Sequence, residues 1–337
     1  MPKRPSVTVL GGGSWGTTVA SLAARNTETV VWARNPDTAA EIATDHRNSA
    51  YLGDLPLTES LRATADLAES VESADVLVLG VPSQHARGVL ERVAEHVRPW
   101  VPVVSLVKGL EQGTRKRMTE IVADVLPGHP AGVLAGPNIA KEVVQGFAAA
   151  ATIAMPEQRA AEMLQDLFRT KRFRVYTTTD VIGVEMAGAL KNVYAIAVGI
   201  GDGLEAGDNT RAMVITRALR ELSRLGVALG GDAATFAGLT GMGDLIATCT
   251  SPLSRNRSVG VQLGRGKSLE QIVAEMNQVA EGVKTAATVM KLGAENGVDL
   301  PIAREVDAVL NHGQPVGDAY RGLLRRAPGH EVHGEEW

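Results

Sequence analysis

The chain has 337 residues, of which 45% are apolar and 21% are charged, proportions typical of a folded globular protein. It carries 34 Lys and Arg against 38 Asp and Glu, a formal net charge of −4, which argues against a nucleic-acid-binding protein because such proteins carry an excess of basic residues. The single cysteine, Cys249, excludes an internal disulfide and a cysteine-rich zinc site. The histidines are scattered without paired ligand spacing, so no metal site is expected.

The length suggests two domains, and neither a signal-peptide core nor an apolar run long enough to span a membrane is found. We therefore expect a cytoplasmic protein without integral membrane contact.

The first half of the chain alternates apolar strands with helix-length segments. The predicted strands cover residues 6–10, 29–33, 76–81, 101–107, 131–135, 149–155 and 174–177. Continuous apolar strands of this kind indicate a parallel sheet covered by helices on both faces. This pattern predicts an α/β, Rossmann-type doubly wound domain over residues 1–179.

The pattern changes near residues 179–180, after which few strand-like runs occur. The predicted helices cover residues 181–200, 211–225, 269–276, 283–296 and 302–310. An all-α C-terminal domain is therefore expected over residues 180–337.

A glycine cluster follows the first predicted strand and opens a helix. Gly11, Gly13 and Gly16 fit the G-x-G-x-x-G pattern in the context that dinucleotide binding requires. The first glycine permits a tight turn, the second lets the backbone approach a pyrophosphate, and the third lets the helix pack on the strand. The alternative is a glycine-rich turn that binds no ligand.

The second predicted strand ends in Arg34 rather than in an acidic residue. A carboxylate there binds the ribose 2′-hydroxyl of NAD, whereas an arginine can receive the 2′-phosphate of NADP. The sequence therefore favours NADP(H), with NAD(H) kept open. The alternatives for Arg34 are a solvated surface charge or stacking on adenine.

Two further strand ends carry polar residues. Lys108 lies at the carboxyl end of a parallel strand, where it can hold an anion or a substrate hydroxyl, or remain a solvated loop lysine. Asn138 follows the turn that begins at Gly136, and it suits either a helix N-cap or a place facing the ligand crevice.

Lys191 lies in an otherwise small and apolar helical segment. Desolvation there disfavours the charged form and suits proton exchange near neutral pH, although a lysine that snorkels to solvent is the alternative. Asp244 and Thr248 share one helix face at i and i+4, and Asp244 either caps that helix or orients Lys191 or a substrate hydroxyl.

A short polar run contains Ser254, Arg255, Asn256 and Arg257. By itself it could be a surface turn. Beside a lysine proton donor it becomes a candidate phosphate clamp, because the guanidinium fork suits phosphate and the Ser and Asn side chains add donors.

Together these motifs resemble the bacterial-type NAD(P)-dependent glycerol-3-phosphate dehydrogenases over about residues 6–312. The segments that carry the resemblance are Gly-Gly-Gly-Ser-Trp-Gly at 11–16, Val-Ser-Leu-Val-Lys-Gly-Leu-Glu at 104–111, Gly-Pro-Asn-Ile-Ala at 136–140, Gly-Ala-Leu-Lys-Asn-Val at 188–193, Gly-Asp-Asn at 207–209, Gly-Leu-Thr-Gly-Met-Gly-Asp-Leu at 238–245, Ser-Arg-Asn-Arg at 254–257 and Val-Ala-Glu-Gly at 279–282.

The resemblance implies interconversion of dihydroxyacetone phosphate and sn-glycerol 3-phosphate for glycerophospholipid synthesis, with Lys191 as the general acid and base. The implied substrate contacts are Lys108, Gly136, Asn138, Lys191, Asp244, Ser254, Arg255 and Asn256, followed by Asn192 and Thr248. The implied dinucleotide contacts, besides the glycines, are Ser14, Trp15, Arg34, Tyr51, Lys108, Ala140, Arg255, Val279 and Glu281.

Two positions depart from the family pattern. Asn138 stands where relatives often carry Ser or Thr, and Asn35 stands where a second basic residue or His is common, which weakens the inference of NADP preference. A homodimer is expected because it is the commonest closed assembly.

Two other functions remain open at this stage. A hydroxyacid or ketopantoate-type reductase shares the glycine turn and a helical lysine, but it prefers a carboxylate substrate. A nicotinamide-sensing regulator binds the dinucleotide without turnover, and it does not need a proton donor such as Lys191.

Overall fold

The structure is a computed structural model that describes residues 4–276 and 280–324. Its contacts divide the chain into two compact units, unit 1 (Met1–Glu185) and unit 2 (Met186–Trp337). The strands found in the described part of the chain are β1 (Val7–Leu10), β2 (Thr29–Trp32), β3 (Arg62–Thr64), β4 (Val76–Leu79), β5 (Val103–Ser105), β6 (Ala131–Ala135), β7 (Ala149–Ala154) and β8 (Phe173–Thr178).

Helices occupy both units. Those of unit 1 are α1 (Ser14–Ala23), α2 (Pro36–Asp45), α3 (Ser49–Leu52), α4 (Leu67–Glu72), α5 (Ser83–Val93), α6 (Met118–Val125), α7 (Ala140–Val144) and α8 (Gln158–Phe168). The helix α9 (Val181–Gly203) begins in unit 1 and continues in unit 2. The remaining helices of unit 2 are α10 (Asp208–Ala228), α11 (Ala233–Ala237), α12 (Asp244–Thr250), α13 (Arg255–Gly264), α14 (Leu269–Glu275), α15 (Glu281–Glu295), α16 (Pro301–Asn311) and α17 (Val316–Leu324).

Unit 1 is built on one eight-stranded sheet with the order β3-β2-β1-β4-β5-β6-β7-β8. Strands β1 to β3 are added towards one edge of the sheet, and β4 and the later strands are added towards the other edge. The boundary between β1 and β4 is the topological switch point, where ligands bind in doubly wound folds. The α/β prediction is therefore confirmed. The all-α prediction for the second half is also confirmed, since no strand follows β8 within the described residues.

One pair of strands contradicts the prediction of a parallel sheet, because β7 runs antiparallel to β6. The connection between them contains only the five-residue helix α7. Such a helix rises about 8 Å, whereas a five-residue strand spans about 17 Å, so it cannot carry the chain back to the starting edge. The apolar pattern of β7 is the same for either direction, and it could not show the reversal.

The edge strand β3 was not predicted. Its sequence is Arg-Ala-Thr, and none of its residues is buried, so it carries no run of β-branched apolar residues. The strand forms because its backbone pairs with β2, and the types of its side chains give no sign of this pairing.

Alternate residues of the central strands feed two separate apolar clusters. In β4, Val76 and Val78 pack into the cluster that contains α1 and α8. Leu77 and Leu79 pack into the cluster that contains α4, α5 and α6. The two faces of the sheet are thus both covered, which is why the strands are apolar throughout.

Helix α9 is long and apolar enough to cross a membrane by length and composition, but 83% of its most apolar window is buried within the protein. A core helix meets the same criteria, and the burial identifies α9 as one.

Candidate active site

The glycine turn between β1 and α1 has the close packing that the sequence predicts. Gly11 has a φ of 129°, and a Cβ there would lie 2.8 Å from the carbonyl group of Gly80. A Cβ on Gly16 would lie 2.1 Å from the carbonyl oxygen of Gly11. A Cβ on Gly13 would meet nothing within 4 Å, so the backbone there is open to an approaching group.

Helix α1 starts at Ser14, and no side chain caps its first turn. The first N–H groups of a helix have no intrahelical partner, and they favour anions such as a pyrophosphate. The indole of Trp15 packs on the ring of Phe173 with 6.2 Å between centroids. Because the indole packs on Phe173, it is the backbone of Trp15 that can contact an anion at the start of α1.

The segment after β2 leaves Arg34 exposed. Asn35 is explained by local structure, since its Oδ1 accepts a hydrogen bond of 2.8 Å from the Asp37 N–H and caps α2. Asn35 thus serves as a helix cap in this chain. Tyr51 lies on α3 with 37% of its surface exposed.

The ends of β5 and β6 bring three predicted substrate residues together in unit 1. Lys108 Nζ donates a hydrogen bond of 3.0 Å to the carbonyl oxygen of Gly136, which has a φ of 147°. Asn138 Nδ2 donates a hydrogen bond of 2.9 Å to the carbonyl oxygen of Ala150 in β7. The antiparallel course of β7 places Ala150 beside this end of β6.

The interpretation of Asn138 as a helix cap is wrong. Helix α7 begins at Ala140, which is half-buried, and its N-cap residue is Ile139. The Asn138 amide is committed to β7 instead, and its Oδ1 is buried without a partner among the described residues.

Lys191 is buried in α9 and forms an ion pair with Asp244, with 2.8 Å between Nζ and Oδ1. Its ammonium group also donates to the hydroxyl of Thr248, which in turn donates to the backbone carbonyl of Asp244 at 2.6 Å. The alternative of a lysine that snorkels to solvent is wrong, because only 3% of Lys191 is exposed. Burial of a charge is costly unless it is paired and hydrogen-bonded, as here.

Asp244 is the first residue of α12, and the N-cap position belongs to Gly243. The structure therefore supports the orienting role of Asp244 over the capping role. A π-helix (Leu239–Gly243) precedes α12, and a Cβ on Gly241 would lie 2.0 Å from the Phe236 carbonyl oxygen. The glycine-rich sequence allows this tight turn, which sets Asp244 in place.

Three further segments of unit 2 meet around Asn256, of which 9% is exposed. Its Oδ1 accepts a hydrogen bond of 2.9 Å from the Gly282 N–H at the start of α15. A Cβ on Gly282 would lie 2.6 Å from the carbonyl oxygen of Asn192. Asn192, Asn256 and the first turn of α15, which Glu281 begins, are thus neighbours.

The polar run at 254–257 is the start of a helix rather than a surface turn. Ser254 caps α13 by accepting a hydrogen bond of 3.3 Å from the Arg257 N–H, and Arg255 is its first, exposed residue. Val279 lies outside the described residues.

Comparisons with known proteins find similarity in both halves of the chain. The family models described as the NAD-dependent glycerol-3-phosphate dehydrogenase N-terminus and C-terminus match residues 6–161 and 180–321. A protein of Mycobacterium avium named glycerol-3-phosphate dehydrogenase [NAD(P)+] is 64% identical over 98% of each chain.

The chain belongs to the NAD-dependent glycerol-3-phosphate dehydrogenase family. A solved glycerol-3-phosphate dehydrogenase from Coxiella burnetii has the same architecture, with a TM-score of 0.91 and 35% identity over 96% of this chain and 100% of that chain. A ketopantoate reductase from Ralstonia eutropha is similar in fold alone, with a TM-score of 0.59 and 15% identity over 94% of this chain and 99% of that chain.

Glycines outside the predicted site let α9 and α13, the helices that carry Lys191 and Arg255, approach each other closely. A Cβ on Gly199 of α9 would lie 2.2 Å from the Arg257 carbonyl oxygen, and one on Gly203 would lie 2.4 Å from the Val261 carbonyl oxygen. In α13, a Cβ on Gly260 would lie 2.1 Å from the Ile196 carbonyl oxygen. The signal was present as glycines four residues apart in both segments, the small-xxx-small pattern of closely packed helices.

An ion-pair cluster beside this crossing was also missed. Asp202 of α9 pairs with Arg257 of α13 at 2.6 Å and with Arg211 of α10 at 2.7 Å. No local pattern links these residues, since each pair depends on how the helices pack.

Proposed function

We propose that this family member catalyses reversible hydride transfer between NAD(P)H and dihydroxyacetone phosphate, giving sn-glycerol 3-phosphate. We include in the same proposal that the product supplies glycerophospholipid synthesis, as is typical of the family, and that the protein is cytoplasmic. The observation that carries it is the buried ion pair of Lys191 and Asp244, with Thr248 as a third partner, in a chain of this family.

The first unit fits a dinucleotide. The open face of Gly13, the uncapped start of α1 and the exposed Arg34 supply backbone donors and a cation for phosphate groups. A bound reduced nicotinamide supplies the hydride. We propose the residues from 1 to 179 as the dinucleotide-binding domain and those from 180 to 337 as the substrate and catalytic domain.

Lys191 is proposed to move the proton. As an ammonium it gives a proton to the alkoxide that develops on the substrate carbonyl, and as an amine it takes one back in the reverse reaction. Asp244 and Thr248 hold Nζ in one orientation, so the proton transfer does not wait for a flexible side chain to find its position. Asp244 also stabilises the charged form of the lysine.

Arg255 and Asn256 are proposed to bind the substrate phosphate. The Asn256 Oδ1 accepts the hydrogen bond of the Gly282 N–H. The side-chain nitrogen Nδ2 of Asn256 is therefore the atom that can donate to the phosphate. Binding energy at the phosphate can then position the reacting carbonyl. Further substrate contacts are proposed for Lys108, Gly136, Asn138, Asn192 and Ser254; further dinucleotide contacts are proposed for Ser14, Trp15, Tyr51, Ala140, Val279 and Glu281.

The test is a spectrophotometric assay of NADPH and NADH oxidation, run in parallel with dihydroxyacetone phosphate and with dihydroxyacetone. We expect oxidation that requires the phosphate group. Loss of absorbance at equal rates with both ketones would contradict the phosphate clamp, and no oxidation with either would contradict the reaction.

Arg34→Gln should raise the KM for NADPH and leave the KM for NADH unchanged.

A homodimer is part of the proposal, because closed two-fold dimers are the commonest assemblies of soluble enzymes. Light scattering coupled to gel filtration measures the mass directly, and the mass of a monomer, 35.5 kDa, would contradict the dimer.

A further inference from the structure

Asn48 lies fully buried behind the glycine turn, with 0% of its surface exposed. Its Nδ2 donates a hydrogen bond of 2.9 Å to the carbonyl oxygen of Gly12 and one of 2.8 Å to the hydroxyl oxygen of Thr17 in α1. A single amide group thus joins the turn and the first helix on the side away from solvent.

The backbone of Asn48 connects the same amide to α3. Its carbonyl oxygen accepts hydrogen bonds from the N–H groups of Leu52 at 2.8 Å and Tyr51 at 3.2 Å. Asn48 therefore also fixes the start of the short helix that carries Tyr51.

We infer that Asn48 is a positioning residue for the dinucleotide, an inference that rests on the proposed function. The Gly12 carbonyl and the Gly13 N–H belong to one planar trans peptide, so they point in opposite directions. By holding the carbonyl towards the interior, Asn48 turns the Gly13 N–H the other way. Among the glycines of this turn, Gly13 is the one at which a Cβ would meet nothing within 4 Å.

The contacts explain why the residue is an amide. The Gly12 carbonyl oxygen can only accept a hydrogen bond, so the side chain that holds it must donate, which an ionised carboxylate cannot do. The Oδ1 of Asn48 is buried without a partner among the described residues. An unpaired buried acceptor is costly, and the two hydrogen bonds that the amide donates to the turn and to α1 offset this cost.

The test compares Asn48→Leu, which keeps the branching and nearly the size, with the wild type. We expect the Kd for NADPH, measured by calorimetry without substrate, to rise roughly 10- to 100-fold, since two buried hydrogen bonds that order the site are lost. The KM for dihydroxyacetone phosphate and the kcat at saturating NADPH should stay within about threefold, because Lys191 and its partners are untouched.

Thr8→Val is the matched control. Thr8 lies in β1, is 3% exposed, and donates a hydrogen bond of 2.5 Å to the Ser70 carbonyl oxygen, away from the turn. We expect this variant to lower the Tm without changing the Kd for NADPH. If Asn48→Leu also lowers the Tm and leaves the Kd unchanged, its role is structural only and the inference is overturned.

Asn48→Asp provides a second variant if the leucine variant does not fold. It should weaken NADPH binding at least as much, since the ionised carboxylate repels both the Gly12 carbonyl and a pyrophosphate. Wild-type affinity in this variant would overturn the inference. Because binding is measured without turnover, a wild type that binds NADPH but does not reduce dihydroxyacetone phosphate would contradict the proposed reaction and leave this inference supported.

Discussion

At the scale of single residues, the environment of Lys191 decides its chemistry. The sequence places this lysine in an apolar helix, a position compatible with snorkelling or with burial. The structure buries it against Asp244, which lies 53 residues further along the chain. Residue type therefore identified both charged groups, whereas only the packing of α9 beside α12 joined them.

We expect Lys191→Met to abolish turnover and to lower the free energy of unfolding by about 3–5 kcal/mol, because it removes the cation that pairs with the buried carboxylate of Asp244. The double variant Lys191→Met/Asp244→Asn should recover much of this stability and remain inactive. Urea unfolding and the dihydroxyacetone phosphate assay measure the two effects. Equal stability of the single and double variants would contradict the ion-pair assignment.

Asn35 and Asn138 show the limit of reading residues one at a time. Both suit a helix cap by type, but only Asn35 caps its helix. Asn138 reaches a carbonyl group on β7 instead. Side-chain type tells which hydrogen bonds are possible, and the fold selects the partner.

At the scale of elements, the close approach of α9 and α13 depends on glycine. These helices carry Lys191 and Arg255, so their crossing sets where the proposed proton donor and the proposed phosphate clamp lie within unit 2. The carbonyl oxygen of Ile196 would lie 2.1 Å from a Cβ on Gly260, too close for any side chain.

We expect Gly260→Ala to lower the free energy of unfolding by about 1–3 kcal/mol through overpacking, and to reduce kcat because α9 must shift. Gly201→Ala, in α9 itself, is the matched control, since a Cβ there would meet nothing within 4 Å. The control should gain about 0.5–1 kcal/mol from higher helix propensity. Chemical denaturation and the assay, applied to both variants, test the crossing; equal effects of the two substitutions would contradict it.

At the scale of the whole molecule, two buried carboxyl groups influence how stability depends on pH. Burial raises the pKa of Glu221 to about 7, although the N–H groups of Ile302 and Ala303 at the start of α16 donate to it. Burial also raises the pKa of Glu185, which accepts hydrogen bonds from Arg117 and Thr119 in unit 1. Both groups hold a proton more tightly in the folded state than in the unfolded one.

The free energy of unfolding should therefore fall as the pH rises from about 4.5 to about 7, because the unfolded chain releases the Glu221 proton first. The contribution of Glu221 is at most about 3 kcal/mol, at 1.36 kcal/mol per unit of pKa. Carboxylates with lowered pKa values, such as Asp75, act in the opposite direction but at lower pH, below the ordinary aspartate pKa of 3.8.

Urea unfolding at pH 5.5 and 7.5 measures this dependence. Glu221→Gln should flatten it, whereas Glu91→Gln, at an exposed position on α5, should not. A slope that is unchanged in Glu221→Gln would show that another group titrates in this range.

The sequence alone determined the alternating first half and helical second half, every strand except β3, the glycine turn, and the residues from which the candidate site is drawn. These features depend on periodicity and spacing within short segments, where neighbours along the chain are neighbours in space. The reversed direction of β7, the Lys191–Asp244 pair, the glycine crossing of α9 and α13, and the hold of Asn48 on Gly12 were decided only by the tertiary structure. Each joins groups separated along the chain, and which groups meet depends on how the helices and strands pack.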